Sequence, residues 1–136
     1  MDLFGALDAL DIKEIPDDGT HAMTLTNWKT FTSQSGNSWL VFQFVMTENE
    51  AFPKFPVEKR IQFYPDLSEE MLGDPKIRQT VNRMKDFLRS LGVPDEEMNN
   101  LDLNDYTGVE GYGYGYGADK YQQPGREWKL HNFRRA

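Results

Sequence analysis

The chain has 136 residues, no cysteine and a formal net charge of −7. That length suits one domain with its own hydrophobic core, and the lack of cysteine excludes disulfides, thiolate zinc sites and a cysteine nucleophile. No apolar run approaches the length of a membrane span, and the first ten residues lack the basic start of a signal peptide.

The negative charge is concentrated in two segments. Residues 1–18 have a net charge of −5 and residues 93–119 have −7, so the rest of the chain carries +5. An acidic total argues against a nucleic-acid partner, because phosphates attract basic surfaces. The uneven distribution nevertheless leaves the middle and the C-terminus able to present a basic face. Each acidic segment is equally compatible with plain solvated surface.

The first 18 residues are predicted to be an acidic N-terminal segment with one or two helical turns. Apolar residues recur there at helical spacing, at positions 3, 4, 7 and 10. The sequence Pro16-Asp17-Asp18-Gly19 is a turn signal. It marks the start of a single domain, which is predicted to span residues 19–134.

Three β-strands are predicted next. Residues 20–32 are rich in threonine and aromatics and poor in helix formers. Residues 38–47, SWLVFQFVMT, form the clearest strand and have apolar side chains on both faces. Turn residues at 33–37 join these two strands into an antiparallel hairpin. Residues 57–64, VEKRIQFY, alternate as a third strand. Phe42, Phe44 and Phe63 are assigned to the core.

One amphipathic helix is predicted after the third strand. Asp74 is suited to cap it and Pro75 to begin it, while Gly92 and Pro94 end it. Its apolar stripe consists of Ile77, Val81, Met84, Leu88 and Leu91. The other face carries five basic residues: Lys76, Arg78, Arg83, Lys85 and Arg89. A solvated surface is the simpler interpretation of that basic face, and phosphate binding or contact with a partner or neighbouring subunit are the alternatives.

Two further strands are predicted at residues 107–116, TGVEGYGYGY, and 126–133, REWKLHNF. The run GYGYGYG leaves three interpretations open. The tyrosines form an outward row on which bases stack, or they cover the interior while the glycines let the strand bend, or the run is a flexible loop. It is not a phosphate-binding fingerprint, because no helix follows it.

The order of these elements, five strands with one helix between the third and the fourth, is that of an OB-fold barrel. Over residues 16–134 the chain resembles the small phage single-stranded DNA-binding proteins of replication and recombination modules. The similarity consists of the following features: Pro16-x-x-Gly19 before a strand, Thr-Ser-Gln-Ser-Gly-Asn at 32–37, the basic helix ending Leu88-Arg-Ser-Leu91-Gly92-Val93-Pro94, the strand start Thr107-Gly108, and Lys129-Leu-His-Asn-Phe133.

Two features depart from that family. Its fourth strand is richer in valine and lysine than GYGYGYG. The present chain also ends Arg134-Arg135-Ala136, without the acidic tip that bacterial relatives use to recruit partners. Recruitment of proteins through a C-terminal tail is therefore in doubt.

The resemblance implies a five-stranded OB-fold barrel that binds single-stranded DNA without sequence preference. It implies that the protein protects DNA during phage replication or recombination, in the cytoplasm of an infected bacterial host. No cofactor and no metal are expected. Phage replication or recombination proteins are candidate partners, and a homo-oligomer is expected, as is usual for proteins of this type.

Binding of single strands requires cations that follow the phosphates and exposed rings that stack on bases. The residues predicted to make these contacts are Trp28, Lys29, Trp39, Lys59, Arg60, Tyr64, Tyr112, Tyr114, Tyr116, Lys129, Phe133 and Arg134. Core packing is an equally good interpretation of Trp39 and Trp128, because large aromatics are usually mostly buried.

A phage accessory protein-interaction module is the alternative function. The acidic block at 93–119 suits a basic partner or mimicry of DNA charge, so the module would inhibit or recruit a host factor. An enzyme is not expected. The only histidines, His21 and His131, lack metal-ligand spacing, and no G-x-S-x-G motif is present.

Overall fold

A computed structural model describes residues 16–116 and 127–134 of the chain. The helix predicted near the N-terminus and the connection between the last two strands lie outside these residues. The elements are β1 Gly19–Thr32, β2 Ser38–Met46, β3 Pro56–Phe63, α1 Pro75–Ser90, β4 Glu110–Tyr116 and β5 Glu127–Arg134. Short 3-10 turns lie at Met71–Gly73, Asp95–Asn100 and Leu103–Tyr106. The prediction of a mainly β chain with one main helix is confirmed.

The strands form an antiparallel sheet in the order β3-β2-β1-β4-β5. β1 is long enough, at 14 residues, to have a different neighbour on each edge. Its first residues, 19–24, pair with β4, and residues 23–32 pair with β2. β1 is therefore the strand that joins the two halves of the sheet.

The sheet is strongly curled. β2 and β5 are separated by β1 and β4, so in a flat sheet they would lie roughly 14 Å apart. Yet the ring centroids of Phe44 on β2 and Phe133 on β5 are 5.3 Å apart. The inner face of the sheet therefore closes around the core, and Phe87 of α1 covers it with its ring centroid 4.7 Å from that of Phe42.

The core contains side chains from the inner face of the sheet, from the C-terminal half of α1 and from the segment between α1 and β4. Its members include Met23, Leu25, Phe42, Phe44, Met46, Val57, Phe87, Leu88, Leu91, Tyr106 and Phe133. Burial of each large apolar side chain contributes about 1.5–3 kcal/mol. The core positions predicted for Phe42 and Phe44 are confirmed, whereas Phe63 is only half-buried at the end of β3.

Helix α1 begins and ends as its sequence predicts. The Asp74 carboxylate accepts a hydrogen bond of 2.9 Å from the backbone N–H of Lys76, and Pro75 occupies the first turn. Gly92 follows the helix with a φ of 92°, a conformation that favours glycine. In the N-terminal half of the stripe, Ile77 and Val81 are half-buried, so the C-terminal half provides most of the packing.

A β-bulge in β1 changes which residues face the core. Met23 and Leu25 point inward, and the register with β2 then shifts by one residue at Thr26. Since side chains alternate between faces, the extra residue turns Trp28 inward and Lys29 outward.

A second β-bulge, in β5, likewise changes which residues of that strand face the core. His131 pairs with Tyr112, but Arg134 pairs with Glu110, so β5 has one extra residue between these pairs. Phe133 therefore points inward and is 3% exposed. Its ring lies against Gly111, where an added Cβ would be 2.5 Å from the Phe133 Cγ. The glycines of β4 thus face the core, and Tyr112 and Tyr114 face outward.

Within residues 16–116 and 127–134, α1 and the 3-10 turns are too short and too polar to cross a membrane.

Candidate nucleic-acid interface

The outer face of β1, β2 and β3 carries three cross-strand rows of side chains. Register places them as Phe31–Trp39–Gln62, Lys29–Val41–Arg60 and Asn27–Gln43–Glu58, each row reading from β1 to β3. Directly opposite side chains in such rows have Cβ atoms about 4.5–5.5 Å apart. We call these nine residues the aromatic–cationic surface.

The first row supplies two neighbouring rings. Phe31 is 37% exposed, although large apolar side chains are usually buried, and its partner Trp39 is half-buried. The backbone hydrogen bond from Ser33 N to Asn37 O, 2.8 Å long, closes the hairpin turn beside this row. The turn therefore holds the two rings next to each other at the end of the hairpin.

The second row supplies the positive charge. The Arg60 guanidinium carbon lies 5.3 Å from the centroid of the Phe31 ring, within the range of a cation–π contact. Arg60 also donates from Nε to Oε1 of Glu58 at 2.7 Å. That bond uses one of its five N–H donors, and its side chain remains 57% exposed. Lys29 is exposed on the other side of the row.

Val41 shows how the cations are held. It lies between Lys29 and Arg60 in the register and is only 1% exposed, although it belongs to the outer face. Long cationic side chains cover apolar surface with their methylene stems and keep their charged groups in water. The Arg60 charge lies beside the Phe31 ring, and Lys29 lies two residues before Phe31 on β1.

An amide pair borders the cationic row, and a pocket borders the rings. Asn27 donates from Nδ2 to Oε1 of Gln43 at 3.3 Å. A pocket of about 210 Å³ is lined by Asn37, Gln62 and Tyr64, among others. Tyr64 follows the end of β3, so it lies at the border of the aromatic–cationic surface and not within it.

The structure therefore brings together three of the predicted residues, namely Lys29, Trp39 and Arg60, with Tyr64 at the border. Sequence reasoning missed Phe31. A signal for it was present, because Phe31 lies two residues from Lys29 and opposite Trp39 across the predicted turn. Gln43 and Gln62 were also missed. Alternation places Gln43 on the same face of β2 as Trp39 and Gln62 on the same face of β3 as Arg60, and the register sets Gln62 opposite Trp39.

Three residues that were predicted to contact DNA do not lie on this surface, as their burial or direction shows. Trp28 points inward, packs on the core, and donates from its indole N–H to Oδ1 of Asn104 at 3.0 Å. Phe133 is a core residue. Lys59 pairs with Phe42 on the inner side of the sheet and is half-buried. None of the three lies on the aromatic–cationic surface.

Two other predicted tyrosines form a separate surface. Tyr112 and Tyr114 are 43% and 44% exposed and pair with Ala22 and Thr20 of β1. Exposed Lys129 of β5 pairs with Tyr114. We call these five residues the tyrosine surface. It lies roughly 30–36 Å from Phe31 along β1. The interpretation in which these rings cover the interior is wrong. The side chains of Tyr116 and Arg134 lie outside the described part of the structure.

The basic face of α1 is partly neutralised. Arg89 contacts Asp95 at 2.8 Å and Asp86 at 2.9 Å. The hydrogen bond and charge of Arg89 lower the pKa of Asp95, and Asp95 in turn raises the pKa of Arg89.

Across the described residues, no three histidine, aspartate or glutamate side chains gather as ligands for a metal ion.

No family model matches the chain, and no curated protein matches it.

Proposed function

We propose that this protein binds single-stranded DNA through the aromatic–cationic surface. The observation that carries the proposal is the pairing of Phe31 with Trp39 in one row and of Lys29 with Arg60 in the next. Rings and cations are thus side by side on one exposed sheet face. This is the combination that single strands require.

The chemistry of the surface favours single strands over duplex. In a duplex the flat faces of the bases are covered by their neighbours, whereas a single strand can offer them to protein rings. Each base stacked on an aromatic ring is worth about 1–3 kcal/mol. Both stacking and phosphate contact tolerate every base, so the proposed binding has no sequence preference.

The arrangement of the sheet supports an OB-type fold for the chain. β1 pairs with both β2 and β4, β3 and β5 lie at the two edges, and α1 contacts both edge strands. In OB-folds the β2–β3 face and the β1–β2 loop bind oligonucleotides. The aromatic–cationic surface covers the outer face of β1, β2 and β3 beside the β1–β2 turn, which supports the same use here. Together with the resemblance to phage proteins, this favours protection of DNA during replication or recombination.

The acidic total does not oppose the proposal, because the acids lie largely elsewhere. Glu58 is the one carboxylate among the nine residues of the surface, and Arg60 is paired with it. Lys29 then gives the surface a net positive charge. Binding should therefore be salt-dependent but with a shallow slope, since only a few counterions are released.

Tryptophan fluorescence tests the proposal directly. Titration with an oligo-dT of about 16 nucleotides, the upper end of the site sizes of OB-folds, should quench emission at low salt and less at high salt. Trp39→Phe should reduce that quenching, because Trp39 lies on the surface whereas Trp28 packs on the core. An unlabelled duplex of equal length should compete poorly. Absence of quenching at micromolar protein, or equal competition by duplex, would contradict the proposal.

A further inference from the structure

The pocket of about 210 Å³ lies at one end of the ladder between β2 and β3. Ser38 and Phe63 form the last pair at that end and belong to its lining. Asn37 lines the pocket from the β1–β2 turn, and Tyr64 and Asp66 line it from the segment that follows β3. A cavity of about 150 Å³ holds a benzene ring, so this pocket has room for one planar base.

The pocket adjoins the aromatic–cationic surface through Gln62. This residue lines the pocket and is also the β3 member of the row Phe31–Trp39–Gln62. Neighbouring strands lie about 4.8 Å apart, so the two rings and the pocket follow one another along a line across the sheet. A DNA strand whose bases stack on Phe31 and Trp39 therefore reaches the pocket with the base that follows.

Hydrogen bonds hold the walls of the pocket in place. The backbone N–H of Asn37 donates to Ser33 Oγ at 3.3 Å, and its carbonyl accepts from the Ser33 N–H at 2.8 Å. Met71, which also lines the pocket, donates from its backbone N–H to Ser68 Oγ at 3.4 Å. The pocket is thus formed in the free protein, and binding there costs little ordering of the chain.

The polar groups of the pocket are suited to a base and not to a phosphate. None of the described residues that line it is a lysine or an arginine, and the carboxylate of exposed Asp66 repels phosphate. Among the described residues, the side chains of Asn37, Gln62 and Asp66 make no hydrogen bond or ion pair. Their donors and acceptors are therefore available to the edge of a base.

We infer that the pocket binds one guanine base of the DNA strand. An ionised carboxylate accepts hydrogen bonds only, and guanine offers two adjacent donors, N1–H and the 2-amino group, to Asp66. The amide N–H groups of Asn37 and Gln62 are the donors for guanine O6. Thymine offers one donor, N3–H, between two carbonyl oxygens that a carboxylate repels. Adenine and cytosine each present an acceptor nitrogen beside their amino group, so neither matches a carboxylate as guanine does.

This inference rests on the proposed DNA binding and adds to it a preference at one nucleotide. The rings and cations bind strands of every sequence, so guanine raises the affinity without being required. One good pair between a side chain and a base changes affinity about 5- to 150-fold. Because Asp66 is exposed, water competes for its carboxylate, and the lower part of that range is expected.

Competition against a labelled oligo-dT, followed by fluorescence anisotropy, tests the inference. The competitors are unlabelled oligo-dT strands of about 16 nucleotides, either unchanged or with one central dG, dA, dC or deoxyinosine. The strand with dG should bind about five-fold more tightly than oligo-dT, or better. Deoxyinosine lacks the 2-amino group and should lose most of that advantage.

A change of Asp66 shows whether the pocket is the source of the preference. Asp66→Asn should reduce the advantage of dG to less than about two-fold, because an amide presents one acceptor group where a carboxylate presents two. Its affinity for oligo-dT should stay close to that of the wild type. Glu70→Gln is the matched control, since Glu70 is an exposed carboxylate of the same segment that does not line the pocket. It should keep the full preference for dG.

Equal affinity for the dG and dT strands would overturn the inference and leave DNA binding intact. So would a preference for dA or dC over dG, or a preference for dG that Asp66→Asn does not change. If none of the strands binds, the proposed DNA binding itself is refuted, and the guanine pocket with it. The two proposals therefore fail by different results.

Discussion

Replacement of Phe31 by alanine should weaken DNA binding while leaving the fold intact. Phe31 is exposed, lies outside the core, and contacts Arg60 through its ring face. Loss of one stacking ring removes about 1–3 kcal/mol of binding free energy. Since every 1.4 kcal/mol is a factor of ten, the dissociation constant should rise about 5- to 150-fold. The upper part of that range is expected, because Arg60 also loses the ring that orients it.

The assay is fluorescence anisotropy of a labelled oligo-dT at fixed, low ionic strength. The matched control is Leu67→Ala, because Leu67 is an equally exposed apolar residue, at 42%, and lies away from the sheet in the segment before α1. Its dissociation constant should equal that of the wild type. If Phe31→Ala binds within two-fold of the wild type, or if Leu67→Ala loses as much, stacking at this surface is not the basis of binding.

Three further variants test other parts of the account. Arg60→Ala should make the slope of log affinity against log salt shallower by up to about 0.7, since one phosphate contact on a single strand is lost; an unchanged slope would remove Arg60 from the contacts. Gly111→Ala should destabilise the fold by about 1–3 kcal/mol, because its Cβ overlaps a buried ring. Thermal unfolding should show this, and Gly73→Ala, which meets nothing within 4 Å, should not. Arg89→Gln should raise the lowered pKa of Asp95 towards its ordinary value. Whatever stability this pair contributes is present at neutral pH and is lost as pH falls through that lowered pKa. A carboxyl NMR titration identical in wild type and variant would show that Arg89 does not set it.

The strands and the helix could be predicted because their signals are local. Alternation in residues 38–47 and 57–64 corresponds to β2 and β3, and the cap at Asp74 corresponds to the start of α1. Alternation also predicts that Phe42 and Phe44 share one face, which in the structure is the inner face. These features need no knowledge of the neighbouring strands.

The faces of Trp28 and Phe133 could not be predicted in the same way. A regular β1 with Met23 and Leu25 inward would point Trp28 outward. A regular β5 would keep Phe133 on the face of Lys129. Each strand contains one extra residue that reverses the alternation, and a bulge is visible only in the pairing with the neighbouring strand.

The direction of the tyrosine run depends on the same long-range packing. Either face of GYGYGYG satisfies strand geometry, so the sequence leaves the choice open. The ring of Phe133 takes the space above Gly111. Once that ring lies inside, Tyr112 and Tyr114 have to point outward. Part of the candidate site, by contrast, could have been predicted from the sequence, because the hairpin turn places Phe31 opposite Trp39.

The most direct test of the central claim is to locate the bound strand on the protein. An oligonucleotide carrying 5-iodouracil can be photo-cross-linked to the protein and the modified peptides identified by mass spectrometry. We predict cross-links on Phe31 and Trp39, the two rings of the aromatic–cationic surface. Cross-links confined to α1 or to Tyr112 and Tyr114 would contradict the claim, as would the same yield from an equivalent duplex.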